Sequence, residues 1–263
     1  MHILRRRLGM VAAGIDVATL SINYTGAHQD YGVVQMNDGD YRLLAFTSSG
    51  TLSIEQPVNC EVCVVGGGAN GSNGSFKTGG GAGAYMKNQV IEAFDGGPVV
   101  VGAAQGVSSI GGVSVAAVSG INGGTGAGSQ HGGTGDGLSK YPFSDDSYEL
   151  WGEKPHCAGG GAGGASERVG NRWNSYSYGN GGSNGSNGSA QTYQGAGNAP
   201  GGSGGLYGGG NGGNATSNGV NATYYGSGGG GGGYYRYYDT NIGNVGSGYQ
   251  GIVYMRIPEE QAA

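Results

Sequence analysis

Short apolar runs, most of them stopped by glycine, recur along the first 120 positions and return once at the far end of the chain. Tyr41 to Ile54 (Tyr-Arg-Leu-Leu-Ala-Phe-Thr-Ser-Ser-Gly-Thr-Leu-Ser-Ile) reads as two strands broken at Ser48-Ser49-Gly50, which predicts a hairpin. Cys60 to Val65, Ala84 to Ile91, Pro98 to Val101 and Val113 to Val118 follow, and Gly251 to Pro258 closes the series with Ile252, Val253, Tyr254, Met255 and Ile257. Each is of strand length. One sheet built from all of them must bring residue 252 back beside partners near the N-terminus, so the stretch from about 121 to 248 is an insertion, not a tail. The pattern predicts an all-β fold, a β-sandwich of jelly-roll or TNF-like kind, with little or no α-helix.

The insertion changes how the composition is read. Glycine supplies 65 of 263 residues, with tracts such as Gly159-Gly160-Gly161, Gly208-Gly209-Gly210 and Gly228 to Gly233. Glycine loses more conformational freedom on folding than any other residue, so such tracts are either floppy linkers or packed polyglycine. Collagen is excluded, because it needs glycine at every third position and abundant proline, and this chain has six prolines and no such period. Charged residues are 11% and the net charge is −5, far from the signature of disorder and without the basic surface that nucleic acid requires. Eighteen tyrosines, four phenylalanines and two tryptophans, many within the glycine region, also argue against a linker.

With both ends of the insertion anchored in one sandwich, the buried amides between them need partners. Polyglycine II helices supply these: extended, three residues per turn, without internal hydrogen bonds, they bond laterally to neighbouring helices. Gly201-Gly202-Ser203-Gly204-Gly205 and Gly208-Gly209-Gly210-Asn211-Gly212-Gly213-Asn214 suit this packing, with Asn and Ser at corners and outer faces.

Few motifs carry chemistry. Gly66-Gly67-Gly68-Ala69-Asn70-Gly71 matches G-x-G-x-x-G after a strand, with Glu92 further on, but Ser72 to Gly79 cannot form the helix whose N-terminus would hold a pyrophosphate. Gly181 to Gly185 and Gly201 to Gly205 match G-x-S-x-G without the strand and helix of a nucleophile elbow. Cys60 and Cys63 form C-x-x-C, and His156-Cys157 would complete a zinc tetrad, yet residues three apart on a strand point to opposite faces. All three cysteines therefore read as small buried residues, and no metal, cofactor or catalytic residue is predicted. Their odd number fits a reducing cytoplasm. Histidines at 2, 28, 131 and 156 have no triad or ligand spacing, and Asp145-Asp146, near Glu149 and Glu153, reads as a solvated loop.

Arg5-Arg6-Arg7 and the apolar residues after it make a poor secretion signal, interrupted by glycine and by Asp16. No apolar run approaches the ~18 residues of a membrane span. Residues 1–40 are read as a docking segment and 41–263 as the glycine-rich domain; a cleaved signal is the alternative for the N-terminus.

Taken in order, Phe46 to Leu52, Cys63 to Gly68, Gly79 to Tyr85, Val100 to Ala104, then Tyr225 to Gly233 and Gly251 to Pro258, the residues resemble the glycine-rich tail proteins of bacteriophages. The likeness spans roughly 41 to 258, and the Arg5-Arg6-Arg7 start is similar to tail proteins from phages and prophages of gut bacteria. It implies a β-sandwich carrying polyglycine II helices, as in distal tail-fibre adhesins and, more remotely, the glycine-rich ectodomain of anaplastic lymphoma kinase-type receptors. It also implies a place in the virion tail, residues 1–40 meeting other fibre subunits.

The aromatic segments give that implication residues. Tyr234, Tyr235, Arg236, Tyr237 and Tyr238 form one cluster, and Arg172, Trp173, Tyr176 and Tyr178 another; both mix rings with Arg and Asn as binding loops do. They are the candidate contacts for a bacterial surface glycan or protein. Trp151 with Tyr148, and Tyr224-Tyr225, are lesser candidates. The competing reading is that these rings cap the glycine packing, which fits a passive structural tail module. A glycan-cleaving enzyme needs two carboxylates about 5 to 10 Å apart in a groove, and the glycine region holds few acids.

Overall fold

The computed structural model describes residues 16–71, 84, 86–115, 141–150, 208–213, 217–232 and 243–259, together with the backbone of 166–167, 175–179, 190–194, 234–235 and 240–241. The described chain is all-β. Thirteen strands are joined by one 3-10 turn, Pro142–Ser144, and no α-helix occurs among the described residues.

The larger sheet contains eight strands: β1 (Ile22–Tyr24), β2 (His28–Met36), β3 (Gly39–Phe46), β4 (Gly50–Val65), β5 (Met86–Val100), β6 (Ser108–Ile110), β7 (Val113–Val115) and β13 (Ile252–Pro258). Their order is β2-β3-β13-β4-β5-β6-β7, with β1 pairing to β4. The terminal strand β13 lies antiparallel to both β3 and β4, with Tyr254 between Ala45 and Cys63. The return of residue 252 to the N-terminal strands is thus present, but the predicted Tyr41 to Ile54 hairpin is not. β3 and β4 are separated by β13, because each satisfies its backbone against that strand instead of its sequence neighbour.

Unbroken apolar runs mark the strands buried on both faces. Leu44, Phe46, Val62, Val64, Val253 and Met255 enter one hydrophobic cluster, whereas Leu43, Ala45, Cys63, Val65, Ile252 and Tyr254 enter the other. The alternation follows from the two-residue period of a strand. The first cluster also takes Leu52, Ile54 and Val58 of β4, Phe94 and Val99 of β5, and Ile110, Val113 and Val115. Residues from both halves of β4 meet in one core because β4 and β5 bend: their register shifts at Ser53/Val58 and Val58/Cys60, and Ala93, Gly96 and Gly97 take positive φ. The second cluster is covered by Phe143, Tyr148, Leu150 and Ala84, with Tyr225 packed against it. Fully burying a Leu, Val or Phe contributes about 1.5–3 kcal/mol, so these two layers are the main source of cohesion.

Of residues 1–40, the described part begins at Asp16. Within it Ile22–Tyr24 and His28–Met36 join the large sheet, β1 on β4 and β2 on β3, because β2 supplies the ladder partner that β3 lacks on its outer side. Arg42 fixes the approach, donating from Nη1 to the carbonyls of Val17 and Leu20 and pairing with Asp30 at 2.6 Å.

Asp145 also departs from expectation. It is buried instead of solvated, and its carboxylate accepts from the Asn37 backbone N–H at 2.9 Å, Asn37 Nδ2 at 2.8 Å and the Ser147 N–H at 2.8 Å, tying the 3-10 turn to the β2–β3 turn. Burial by itself raises the pKa of both Asp30 and Asp145. Hydrogen bonds and charge outweigh it, from Arg42 and the Gly32 amide at Asp30 and from Ser147 and Asn37 at Asp145, and both carboxyls end below their ordinary value. Folding then favours the ionised forms, a contribution complete above the unfolded pKa of about 3.9 and lost as pH falls through the lower folded values. The urea midpoint should drop below about pH 4, and Asp30→Asn and Asp145→Asn should each flatten that acid limb. An unchanged acid limb in both variants would contradict this.

The glycine-rich segments among the described residues pack as a bundle: 66–71, 208–213, 218–223, 226–232 and 244–251. Hydrogen bonds between them advance by three residues. Gly210 N donates to Gly228 O and Gly213 N to Gly231 O; Gly219 N donates to Asn244 O and Ala222 N to Ser247 O; Gly68 N donates to Tyr249 O and Gly71 N to Gly246 O. The 226–232 segment is buried throughout and bonds to all four others, through Ala69 O, Val220 O and the amides of Gly210, Gly213, Gly246 and Tyr249. Gly230 shows why glycine is required: a Cβ there would overlap the Asn211 carbonyl, which is backbone and cannot swing aside. Asparagine edges the bundle, with Asn218 Oδ1 accepting from Asn244 N at 2.7 Å and Asn221 Oδ1 from Ser247 N at 2.8 Å. The first segment continues β4 and the last runs directly into β13, so the bundle grows out of the buried centre of the large sheet.

Candidate functional site

A second sheet lies within the insertion: β8 (Ser166–Glu167), β9 (Ser175–Gly179), β10 (Ala190–Gln194), β11 (Tyr234–Tyr235) and β12 (Thr240–Asn241), ordered β10-β9-β8-β11-β12. It joins the two aromatic clusters picked from the sequence. Tyr234 and Tyr235 are on β11, Tyr176 and Tyr178 on β9, and β8 pairs with both. These four positions belong to strands, not loops, since Ser-Tyr-Ser-Tyr alternates at the period of a strand and tyrosine favours extended backbone. Arg172, Trp173, Arg236, Tyr237 and Tyr238 lie outside the described residues, as do Trp151 and the two G-x-S-x-G segments.

The register aligns one row across the sheet: Thr240, Tyr235, Glu167, Tyr176 and Tyr193. The adjacent row is Asn241, Tyr234, Ser166, Ser177 and Thr192. Tyr193 was absent from the sequence-based set although Ala-Gln-Thr-Tyr-Gln alternates as β9 does; only the β9–β10 pairing makes it a neighbour of Tyr176. Glu167 is the single charged residue in these five strands.

Other candidates fall into the framework. Tyr148 is 2% exposed and sits in the second hydrophobic cluster. Tyr224 and Tyr249 each set a ring edge against Tyr225 at 5.6 Å between centroids, closing the end of the glycine bundle beside Tyr31 of β2. Burial pushes the Tyr31 hydroxyl well above its ordinary pKa, and the neighbouring Tyr225 and Tyr224 add to the shift. The G-x-G-x-x-G segment holds no free cradle for a phosphate, because Gly67, Gly68 and Gly71 donate to the carbonyls of Gly106, Tyr249 and Gly246. A groove beside the β2–β3 turn gathers Asp38, Asp40 and Glu259, with Asp38 held by Arg256 at 3.0 Å.

Cys60 and Cys63 form no disulfide and are buried on opposite faces, one in each cluster, so they cannot ligate a common ion without breaking β4. Burial pushes the Cys60 thiol up to about 12, which removes the reactive thiolate at neutral pH. Mass spectrometry after iodoacetamide treatment at pH 8 should find both residues unmodified in the native chain and both alkylated in denaturant. Rapid native alkylation of either would contradict their placement.

No helix among the described residues is long and apolar enough to cross a membrane. Comparison of the chain with protein-family models, curated proteins and solved structures finds no match.

Proposed function

We propose that this chain is a receptor-binding adhesin at the tip of a bacteriophage tail fibre, recognising a molecule on the bacterial surface without chemical turnover. In this reading the eight-stranded sheet, whose β4–β5 arm curves over its own centre, is a jelly-roll or TNF-like β-sandwich, and the glycine bundle is packed polyglycine II. The three-residue advance of the lateral hydrogen bonds supports that assignment. One observation carries the function: the two tyrosine clusters meet on a five-stranded sheet whose strands contain no Val, Leu, Ile, Met or Phe. Such a sheet has little to bury in an aliphatic core of its own, and it is rich in the residue that binding surfaces use for large contact area at low entropy cost. Residues 1–40 serve docking to other fibre subunits in this reading, and the protein resides in the virion tail.

The ring cluster of Tyr224, Tyr225 and Tyr249 favours a second reading, a passive tail module whose tyrosines only cap glycine packing. Infection competition separates the two. Purified chain, checked for folding, should reduce plaque formation by phage carrying this protein on their own host; absence of any competition at saturating protein would reject the adhesin.

A further inference from the structure

We infer that the register row Tyr235–Glu167–Tyr176–Tyr193 is a platform for a neutral, linear oligosaccharide laid across the strands; the inference rests on the adhesin reading and names its ligand class. Strands in a sheet are about 4.8 Å apart, so the three steps from β11 through β8 and β9 to β10 extend the row over about 14 Å, the reach of a short chain of sugar rings. Aromatic faces carry a negative quadrupole that attracts the electropositive C–H face of a pyranose, and three tyrosines in one row repeat that contact along the chain. Glu167 holds the register position between Tyr235 and Tyr176, and a carboxylate is an acceptor for sugar hydroxyls. No member of the row is Lys or Arg and the whole chain carries a net charge of −5, so Glu167 sets the row's own charge and repels an acidic sugar; Arg172 and Arg236, the basic members of the two clusters, lie outside the described residues. The neighbouring row through Ser166, Ser177 and Thr192 has small hydroxyl residues at its centre and offers no stacking surface of this length.

The test is binding of the full chain to immobilised neutral oligosaccharides of glucose, galactose, mannose and N-acetylglucosamine at several lengths, with galacturonic and sialic acid oligomers as anionic counterparts. At least one neutral series should bind, more tightly as it lengthens. Tyr176→Ala and Tyr193→Ala should each weaken it at least ten-fold, Tyr176→Phe should retain most of it, and Ser177→Ala in the adjacent row should leave it unchanged. Glu167→Gln should raise the relative affinity for the anionic oligomers. Circular dichroism of every variant separates lost contacts from lost folding. Failure to bind any neutral oligomer, tightest binding to the anionic ones, or indifference to both alanine variants would overturn the platform. The same variants on host cells keep the two levels distinct: undiminished cell binding by Tyr176→Ala and Tyr193→Ala leaves an adhesin whose contact is elsewhere or is a protein, whereas no cell binding by the parent chain removes the adhesin reading itself.

Discussion

Gly230→Val should unfold the glycine bundle and lower the chain's Tm by about 10 °C, corresponding to about 4 kcal/mol. The magnitude has two sources. Overpacking against atoms that cannot relax costs about 1–3 kcal/mol, and here the obstacle is the Asn211 backbone carbonyl. Moving the segment away then breaks the bonds from Gly230 N to Val220 O and from Gly246 N to Gly230 O, at about 1 kcal/mol each. Gly112→Ala is the matched control: φ there is +79° but the space around it is open, so only the left-handed backbone penalty of about 1–2 kcal/mol applies. Scanning calorimetry should rank Gly230→Val well below Gly112→Ala. Equal Tm values would mean that the segments are not in close lateral contact.

Arg256→Met carries the second large effect, a loss of about 3 kcal/mol. Arg256 is 7% exposed within β13, where its guanidinium pairs with Glu61 and Asp38 and lies over the rings of Tyr41 at 4.2 Å and Phe143 at 4.8 Å. Burial works against its charge, but the two carboxylates outweigh that and raise its pKa further, so it stays protonated at any working pH. Removing it leaves Glu61 and Asp38 without their shared cation, and the Glu61 side chain is only 23% exposed. Because the cost lies in the stranded carboxylates, Arg256→Met with Glu61→Gln should recover a measurable part of the loss in urea titrations. A double variant less stable than the single one would show that ring stacking, not charge, holds this end of β13.

The parts of the fold legible in the sequence are those with strong local causes. Leu43 to Phe46, Val62 to Val65 and Ile252 to Met255 stand out because both their faces are buried, which removes polar alternation and leaves an unbroken run. β2 carries no such mark: His-Gln-Asp-Tyr-Gly-Val-Val-Gln-Met is an edge strand with Gly32 at φ +66° in its bulge, so it reads as part of a docking segment. β4 reads as two runs because Glu55-Gln56-Pro57 interrupts the pattern, although the strand continues through a register shift in which proline needs no ladder bond. The hairpin error has a different origin, since nothing within Tyr41 to Ile54 reveals that β13 will intervene. Order in the described glycine tracts could be inferred from their composition, whereas the role of Gly66 to Gly71 as a bundle segment could not, as its partners within the bundle lie more than 150 positions away. Of the candidate site, the Ser-Tyr alternation was visible but glycine on either side disguised it as loop, and the pairing that adds Glu167 and Tyr193 is purely tertiary.

The most direct test of the account is binding of the fluorescently labelled, folded chain to a panel of gut bacterial strains, beside a variant with Tyr176, Tyr178, Tyr234 and Tyr235 changed to alanine. Strain-selective binding that falls at least ten-fold in an equally folded variant is the predicted result. Binding to no strain, or binding that the variant keeps in full, would contradict a receptor-binding role for the five-stranded tyrosine sheet.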